Sequence, residues 1–446
     1  MHMSRSPHAD ASGSGIALRP GSSGPIGPRA PGTQISDAVW QGRVFLMVAL
    51  VAAAMPIRMA VGVPVVNSMS ILDVVLLVAA LTLFLDLSYR PLDTGYRQVF
   101  GLLCLPLAVA TLSIVWSQDR PATLRAILIY VEGLVAYLFV VRELHGLPPA
   151  RIVGYLERFA YLLIIPAVLL LLHVPGFGPR VSSDVSHSSG AYLTYFTRLS
   201  HPVLGPSNNL AAVLAFFAPI LIYWGHIQRD RRITIAGFVA AAAIFVTLSR
   251  GVLLSFLIAG VLYGVLSSAT RTTKGNGLGR KIAGIVALGA VAIAAFYVLN
   301  PDAHEQFKTR LTLANVVSRE ALLSDALTKI ADRPLLGYGG GASPDRDPSL
   351  VEHVHNTFLQ QAVYFGIPLG VLVSAALLGL AGFFLARRRR AAIAGVLAYV
   401  LLVQLVSYAF EASFEGTVLR VLFYMSIGMA VALLRSVESE RRAAPA

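Results

Sequence analysis

The chain has 446 residues, 56% of them hydrophobic and 13% charged, with mean hydropathy +0.69 and a formal net charge of +13. Soluble domains carry about 25% charged residues, so this composition excludes an ordinary soluble fold and indicates a polytopic membrane protein. Nucleic acid is excluded as the reason for the basic balance by the way the charge is distributed, and the single cysteine, Cys104, excludes an intrachain disulfide.

Residues 1–41 hold "SGSGIALRPGSSGPIGPRAPGTQ", rich in Pro, Gly and Ser and without an apolar face to bury. They read as a disordered arm. No short apolar core with a small-residue cleavage site occurs there, so the first span is expected to act as the signal. Apolar runs of about 20 residues then recur. They predict an all-α, polytopic integral membrane protein of about twelve spans: 44–63, 69–88, 98–116, 122–141, 152–174, 206–226, 233–249, 251–268, 281–299, 368–386, 391–410 and 418–435. The expected divisions are the arm 1–41, spans 1–9 within 42–299, a large outer connection with amphipathic helices at 300–367, spans 10–12 within 368–436, and a tail 437–446. No internal repeat is apparent.

Lys and Arg in alternate connections orient such a chain. With the amino terminus in the cytoplasm, every cytoplasmic connection is basic, from Arg43 through Arg90 and Arg97, Arg142 and Arg151, Arg229, Arg231 and Arg232, Lys274 and Lys281, and Arg387 to Arg390, to Arg441 and Arg442. Both termini are therefore expected inside, and the long connections 175–205 and 300–367 outside.

The basic residues that break this rule are the informative ones. Arg125 opens the fourth span. Arg198 precedes "HPVLGPSNNLAAVLAF", where Asn208 or Ser207 can cap the helix that begins. Arg250, in "TLSRGVLLSF", lies in the tightest outer turn; it either snorkels at a helix end or serves as an anion ligand. Arg420 opens the twelfth span after Glu411 and Glu415, and an Arg–Glu pair at a span mouth is more often structural than catalytic. Several guanidinium groups on one face suit a diphosphate, since each offers planar bidentate hydrogen bonds and stays charged.

Between spans nine and ten, Leu322, Leu323, Ala326, Leu327 and Ile330 share one helical face, with Ser318 as cap and Pro334 as stop. "GYGGGASPDRDPS" follows and reads as a flexible loop able to approach a substrate closely. Asp345-Arg346-Asp347 imitates a metal-binding Asp-x-Asp but lacks the soluble α/β domain such a motif needs. "EHVHNTFLQQAVYFGIPLG" then brings His353, His355 and Asn356 to the start of an apolar run. A single helix over 356–386 would exceed the hydrocarbon core by about half, so Gly366 and Pro368 are expected to break it. His355 and Asn356 would then sit at the amino end of a short outer helix. There a neutral imidazole can take a proton from a hydroxyl, or simply cap the helix. His-x-His as a metal site lacks a third ligand at useful spacing, so no metal and no cofactor are expected.

"TLSRG", "LTKIADRPLLGYGGG" and "HNTFLQQAVYFGIPLG", in that order, resemble the O-antigen ligase family within the O-antigen ligase and polymerase superfamily of membrane glycosyltransferases. The family's signature is His, an Asn, Ser or Gln, nine residues, then Gly: here His355, Asn356 and Gly366. Its tail departs, with Leu369 where a small or aromatic residue is the pattern. The resemblance implies a metal-independent, inverting transfer at the periplasmic face of a bacterial inner membrane. The donor would be a glycan on undecaprenyl diphosphate, and the acceptor a lipid A–core hydroxyl. Arg198, Arg250 and His355 would be catalytic, with Arg125, Asn208, His353, Asn356 and Arg420 as further substrate contacts. An O-antigen polymerase or a protein O-oligosaccharyltransferase would use the same donor. A transporter is the rival from another class, kept open by the charges Asp73, Glu132, Glu157 and Arg158 inside spans.

Overall fold

The computed structural model describes residues 58–63, 66–87, 94–172, 207–247, 249–268, 313–342, 356–410 and 417–443. A short ribbon comes first. Strands β1 (Arg58–Val63) and β2 (Val66–Ser70) pair antiparallel, with Arg58 opposite Ser70, Met59 opposite Met69 and Val63 opposite Val66. The expected first span, 44–63, is corrected here at its carboxyl end, which is extended; its earlier part lies outside the described residues. Pro64 disfavours helical geometry at the residue before it, and the Val-rich run "AVGVPVV" prefers the pleated backbone.

Everything else described in regular structure is helical: α1 (Ile71–Leu87), α2 (Thr94–Ser113), α3 (Arg120–Glu143), α4 (Pro149–Leu171), α5 (Ser207–Gln228), α6 (Arg231–Val246), α7 (Arg250–Ser268), α8 (Leu313–Asp332), α9 (Thr357–Arg387), α10 (Ala392–Phe410) and α11 (Thr417–Ala443). Among the described residues, seven helices are long and apolar enough to cross a membrane: α2 to α5 and α9 to α11. The expected spans from 69–88 through 251–268, and the last three, coincide with described helices. The expected span 281–299 lies outside the described residues.

Packing fixes helix direction. Helices α3 and α11 run parallel. Gly133 faces the Tyr424 ring, Gly428 lies against the Tyr137 carbonyl, and farther along Ser436 Oγ donates to the Leu147 carbonyl at 2.5 Å. A Cβ at Gly133 would collide with the Tyr424 ring and one at Gly428 would crowd Tyr137 and Val140, so the small residues let the two backbones approach. Helix α10 occupies the centre, buried along almost its whole length. It runs antiparallel to α7: Tyr399 Oη donates to the Phe256 carbonyl at 3.3 Å, and Arg388, just before α10, reaches the Leu266 carbonyl at 3.4 Å. Helices α5 and α6 form a tight antiparallel hairpin, turned by Arg229 with φ of 54° and capped by Asp230, whose Oδ1 accepts from Arg232 N and Ile233 N.

These directions sort the helix ends. The amino ends of α3, α5, α7, α9 and α11 lie at one end of the bundle. So do the carboxyl ends of α2 and α10, and the Gly-rich segment after α8. This is the glycine-loop end. The opposite, basic end collects Arg142, Arg151, Arg229, Arg231, Arg232, Arg387 to Arg390, Arg435 and Arg441. Its arginines are used in helix-to-helix contacts. Arg387 donates to Gln98 Oε1 at 3.0 Å, Arg441 donates to the Arg390 carbonyl, and Arg435 lies over the Tyr96 ring.

Candidate functional site at the glycine-loop end

The sequence feature that organises this end is the break in α9. Gly366 adopts φ 76° and ψ 168°, a combination open only to glycine, so α9 is two helices joined at a kink. The kink frees backbone groups, and each finds a partner. Pro368 has no N–H to give the Tyr364 carbonyl, and Gly339 N donates to it instead at 2.8 Å. Ile367 N turns away from the Val363 carbonyl and donates to the Pro334 carbonyl at 2.7 Å, while Tyr338 N takes the Val363 carbonyl at 3.1 Å. The segment after α8 thus completes the helix that the sequence interrupts. The expected break at Gly366 and Pro368 is where the structure has it.

The same segment is fastened on its other side to the α2–α3 turn. Gln118 N donates to the Tyr338 carbonyl at 3.1 Å, Gly340 N to Ser113 Oγ at 3.0 Å, and Trp116 Nε1 to the Leu336 carbonyl at 2.5 Å. A Cβ at Gly337 would meet the backbone of Val363 and Gly366, and one at Gly339 would meet Ser117. Tyr338 is buried, with the Arg333 guanidinium 5.1 Å from its ring centre. Burial raises the pKa of its phenol, and the Asp332 carboxylate adds to the effect, so it remains protonated. The expectation of a flexible loop here is corrected: residues 337–342 are wedged between helices because the α9 kink supplies acceptors that need donors. Residues 343–355 lie outside the described residues, and with them Asp345, Arg346 and Asp347.

Helix α8 is longer than expected. It starts at Leu313, so Ser318 lies inside it and is not its cap; it ends at Asp332, ahead of Pro334. Its buried seam is Ala326 and Ile330, while Leu323 and Leu327 stay exposed.

The predicted site residues distribute as follows. Asn356 caps α9, its Oδ1 accepting from Phe358 N and Leu359 N at 3.0 Å each. His353 and His355 immediately precede it and lie outside the described residues, as does Arg198. Asn208 is half-buried in the first turn of α5. Arg250 is the first residue of α7, in whose first turn Leu253 N donates to the Ser249 carbonyl at 3.0 Å. Arg420 is buried at 5% exposure in the first turn of α11, its guanidinium carbon 4.3 Å from the centre of the Tyr130 ring on α3. Its expected partners, Glu411 and Glu415, lie outside the described residues. Arg125 is exposed. Five residues separate it from Tyr130, about 140° around α3, so it points away from Arg420 and out between the exposed Leu124 and Leu128. Asn208, Arg250, Asn356 and Arg420 therefore stand at the starts of four helices at the same end of the bundle, and Arg125 shares that end with its side chain exposed.

Sequence reasoning missed a buried polar stripe. Thr357, Gln360 and Gln361, with Tyr364, recur at helical spacing on the short amino-terminal part of α9, and all are buried. The Gln361 Oε1 atom has no hydrogen-bond partner among the described residues. On α10, Gln404 Oε1 and Ser407 Oγ are likewise buried without a partner there, and Gln404 lines a cavity of about 10 Å³ with Tyr408 and Ser426, room for about one water. The signal was legible: polar residues at i, i+3 and i+4 in an otherwise apolar run.

Residues 235–374 match the family model described as O-antigen ligase. The matched stretch holds Arg250, His353, His355 and Asn356, all of α7 and α8, and the α9 kink. It supports a place in the O-antigen ligase and polymerase superfamily, a multi-pass membrane protein, and a glycan-transferring activity on lipid-linked substrates at that level. No curated protein matches the chain.

Proposed function

We propose that the protein is an O-antigen ligase, transferring a polysaccharide from undecaprenyl diphosphate to a lipid A–core hydroxyl at the periplasmic face of the bacterial inner membrane. The observation that carries this reading is the family match over residues 235–374, which includes both Arg250 and His355, on a chain whose α7 and α9 begin at the same end of the bundle. In this reading the described helices and residues 281–299 belong to a fold of about twelve spans, the basic end faces the cytoplasm with both termini, and the glycine-loop end faces the periplasm.

The anomeric carbon of the donor bears a diphosphate leaving group, so the charge that grows on its oxygens as the bond breaks is what must be stabilised. Arg250 and Arg198 supply that stabilisation. His355, one residue before the cap of α9, takes the proton of the acceptor hydroxyl as its oxygen attacks the opposite face, and the configuration inverts. The Asn356 Oδ1 atom is occupied in capping, which leaves its amide N–H groups for the acceptor. Arg125, exposed among leucines, is where a diphosphate arriving from the bilayer meets its first guanidinium, with Asn208 and His353 farther in. Arg420 acts through Tyr130 to fix the start of α11. Gln361, buried in the first turns of α9, is a further acceptor for a sugar hydroxyl. No metal enters this scheme.

The experiment is transfer by the purified protein, given lipid-linked glycan with lipid A–core acceptor. His355→Ala and Arg250→Ala are each expected to lose activity by about 10²–10⁴-fold. Normal transfer by either variant removes that residue from the mechanism. An enzyme that elongates lipid-linked glycan but leaves the core untouched is a polymerase. Movement of labelled donor across liposomes without chemical conversion identifies a transporter.

A further inference from the structure

At the basic end, the α5–α6 hairpin itself lines an open groove of about 750 Å³, within the size range of small-molecule sites. Its rim carries His226, Arg229 and Arg231; its floor carries Ile227, Ile235 and Phe238. The three apolar side chains are exposed, at 49%, 57% and 47%. Among the described residues, no acidic side chain lines the groove. Two acids of this end are committed elsewhere: Asp230 caps α6, and Glu157 on α4 accepts from Arg232 Nε at 2.8 Å, so Arg232 is neutralised, while no ion pair joins Arg229 or Arg231 among the described residues. Arg229 stands at a left-handed backbone position, which turns the chain sharply between the two helices and sets its side chain beside that of Arg231 on the groove.

We infer that this groove binds the headgroup of an anionic phospholipid, with an acyl chain lying along Ile235 and Phe238. Positive charge over exposed hydrocarbon is the complement of a lipid that is anionic at one end and apolar along the rest. A free phosphate would use the rim and leave the apolar floor in water; a zwitterionic lipid would bring its own cation to the two guanidinium groups. The site does not depend on the glycan reading, and its test needs no transfer assay.

The test uses the full-length protein in detergent, with phosphatidylglycerol, phosphatidylcholine or inorganic phosphate added, and reads both lipid adducts by native mass spectrometry and the thermal unfolding midpoint. Phosphatidylglycerol is expected to add one retained lipid and raise the midpoint, and phosphatidylcholine is not. Each guanidinium beside an anionic headgroup is worth roughly fivefold in affinity. The double variant R229Q/R231Q should therefore bind about 25-fold more weakly, with the Asp230 cap and the Arg232–Glu157 pair left intact. R389Q/R390Q removes the same charge at the same end but away from the groove, and should bind as the parent does. Phe238→Ser is the second probe: it keeps all charges and should weaken binding of long-chain lipid more than of a short-chain analogue. Equal protection by phosphatidylcholine, equal protection by inorganic phosphate, or equal loss in R389Q/R390Q each overturns the inference.

Discussion

The two ends of the bundle are built on opposite plans. At the basic end, helices terminate in the ordinary way: Asp230 caps α6, and arginine side chains close onto carbonyls, rings and carboxylates. Each is a side-chain contact that can be lost without interrupting the backbone of a helix. At the glycine-loop end, the backbone itself is interrupted, and its freed groups are satisfied by a segment some 25 residues away in sequence that is also tied to α2 and α3. Toward that end, polar side chains of α9 and α10 stay buried with oxygens unused among the described residues, as Glu438 Oε1 also does at the basic end. Irregular backbone at membrane depth is tolerated where protein or a water-filled site covers it. In the proposed reading, the glycine-loop end is the one that takes the glycan substrates, while the basic end holds the helices in register.

The sharpest way to break the comparison is at the kink. Gly366→Val places a β-branched side chain at φ 76°, against the Leu335 and Leu336 backbone. The strained backbone and the collision together are expected to cost about 3–5 kcal/mol. Folded yield in detergent should fall steeply and transfer with it. A variant of parental yield and activity would mean that the kink is dispensable. Removing a single tie is milder. Ser113→Ala leaves the buried Gly340 N–H without its acceptor, an expected loss of about 1–3 kcal/mol in a thermal or denaturant titration. Tyr130→Leu deletes the ring under the buried Arg420 guanidinium, at about 1–2 kcal/mol, whereas Tyr130→Phe should keep most of it.

How much of this was readable from the chain follows from the range of the interactions. Helices such as α3 and α10 declare themselves by length and hydropathy, and the break in α9 by Gly366 and Pro368, because each signal is local. The docking of Gly337 to Ala342 was not readable: glycines permit both a mobile loop and a tight wedge, and what decides is the set of acceptors at Val363 and Tyr364, known only once α9 is bent. Arg420 shows the same limit. The glutamates beside it in sequence, Glu411 and Glu415, lie outside the described residues, and its described contact is an aromatic ring almost 300 positions earlier, which no local pattern announces. The extended backbone at 58–63 escaped because a hydropathy window sees Val and Ala without asking whether Pro64 lets the helix continue. Arg125 was placed at the correct end but could not be given an inward or outward direction without its neighbours on α3.

The basic end supplies the contrasting, smaller effect. Asp230→Ala removes two hydrogen bonds at the start of α6 and is expected to cost about 1 kcal/mol. Transfer measured on the folded fraction should be unchanged. A loss of rate there beyond the loss of folded protein would mean that the two ends are coupled, and the division drawn between them would have to be abandoned.

Asn356 offers the smallest change in stability and the finest discrimination. Its Oδ1 caps α9, so Asn356→Ala should cost about 1 kcal/mol. Serine is about as good a cap as asparagine, so Asn356→Ser should leave stability nearly unaltered. The two substitutions nevertheless remove the same amide N–H groups. If the residue serves only to start the helix and aim His355, the serine variant transfers glycan at the parental rate and the alanine variant is slower only as far as the helix frays. If the amide also holds the acceptor, both variants raise the KM for acceptor to a similar degree while only one of them unfolds more easily. Measuring unfolding midpoint and acceptor KM on the same two preparations therefore separates a cap from a contact, at the position where helix geometry and the proposed chemistry meet.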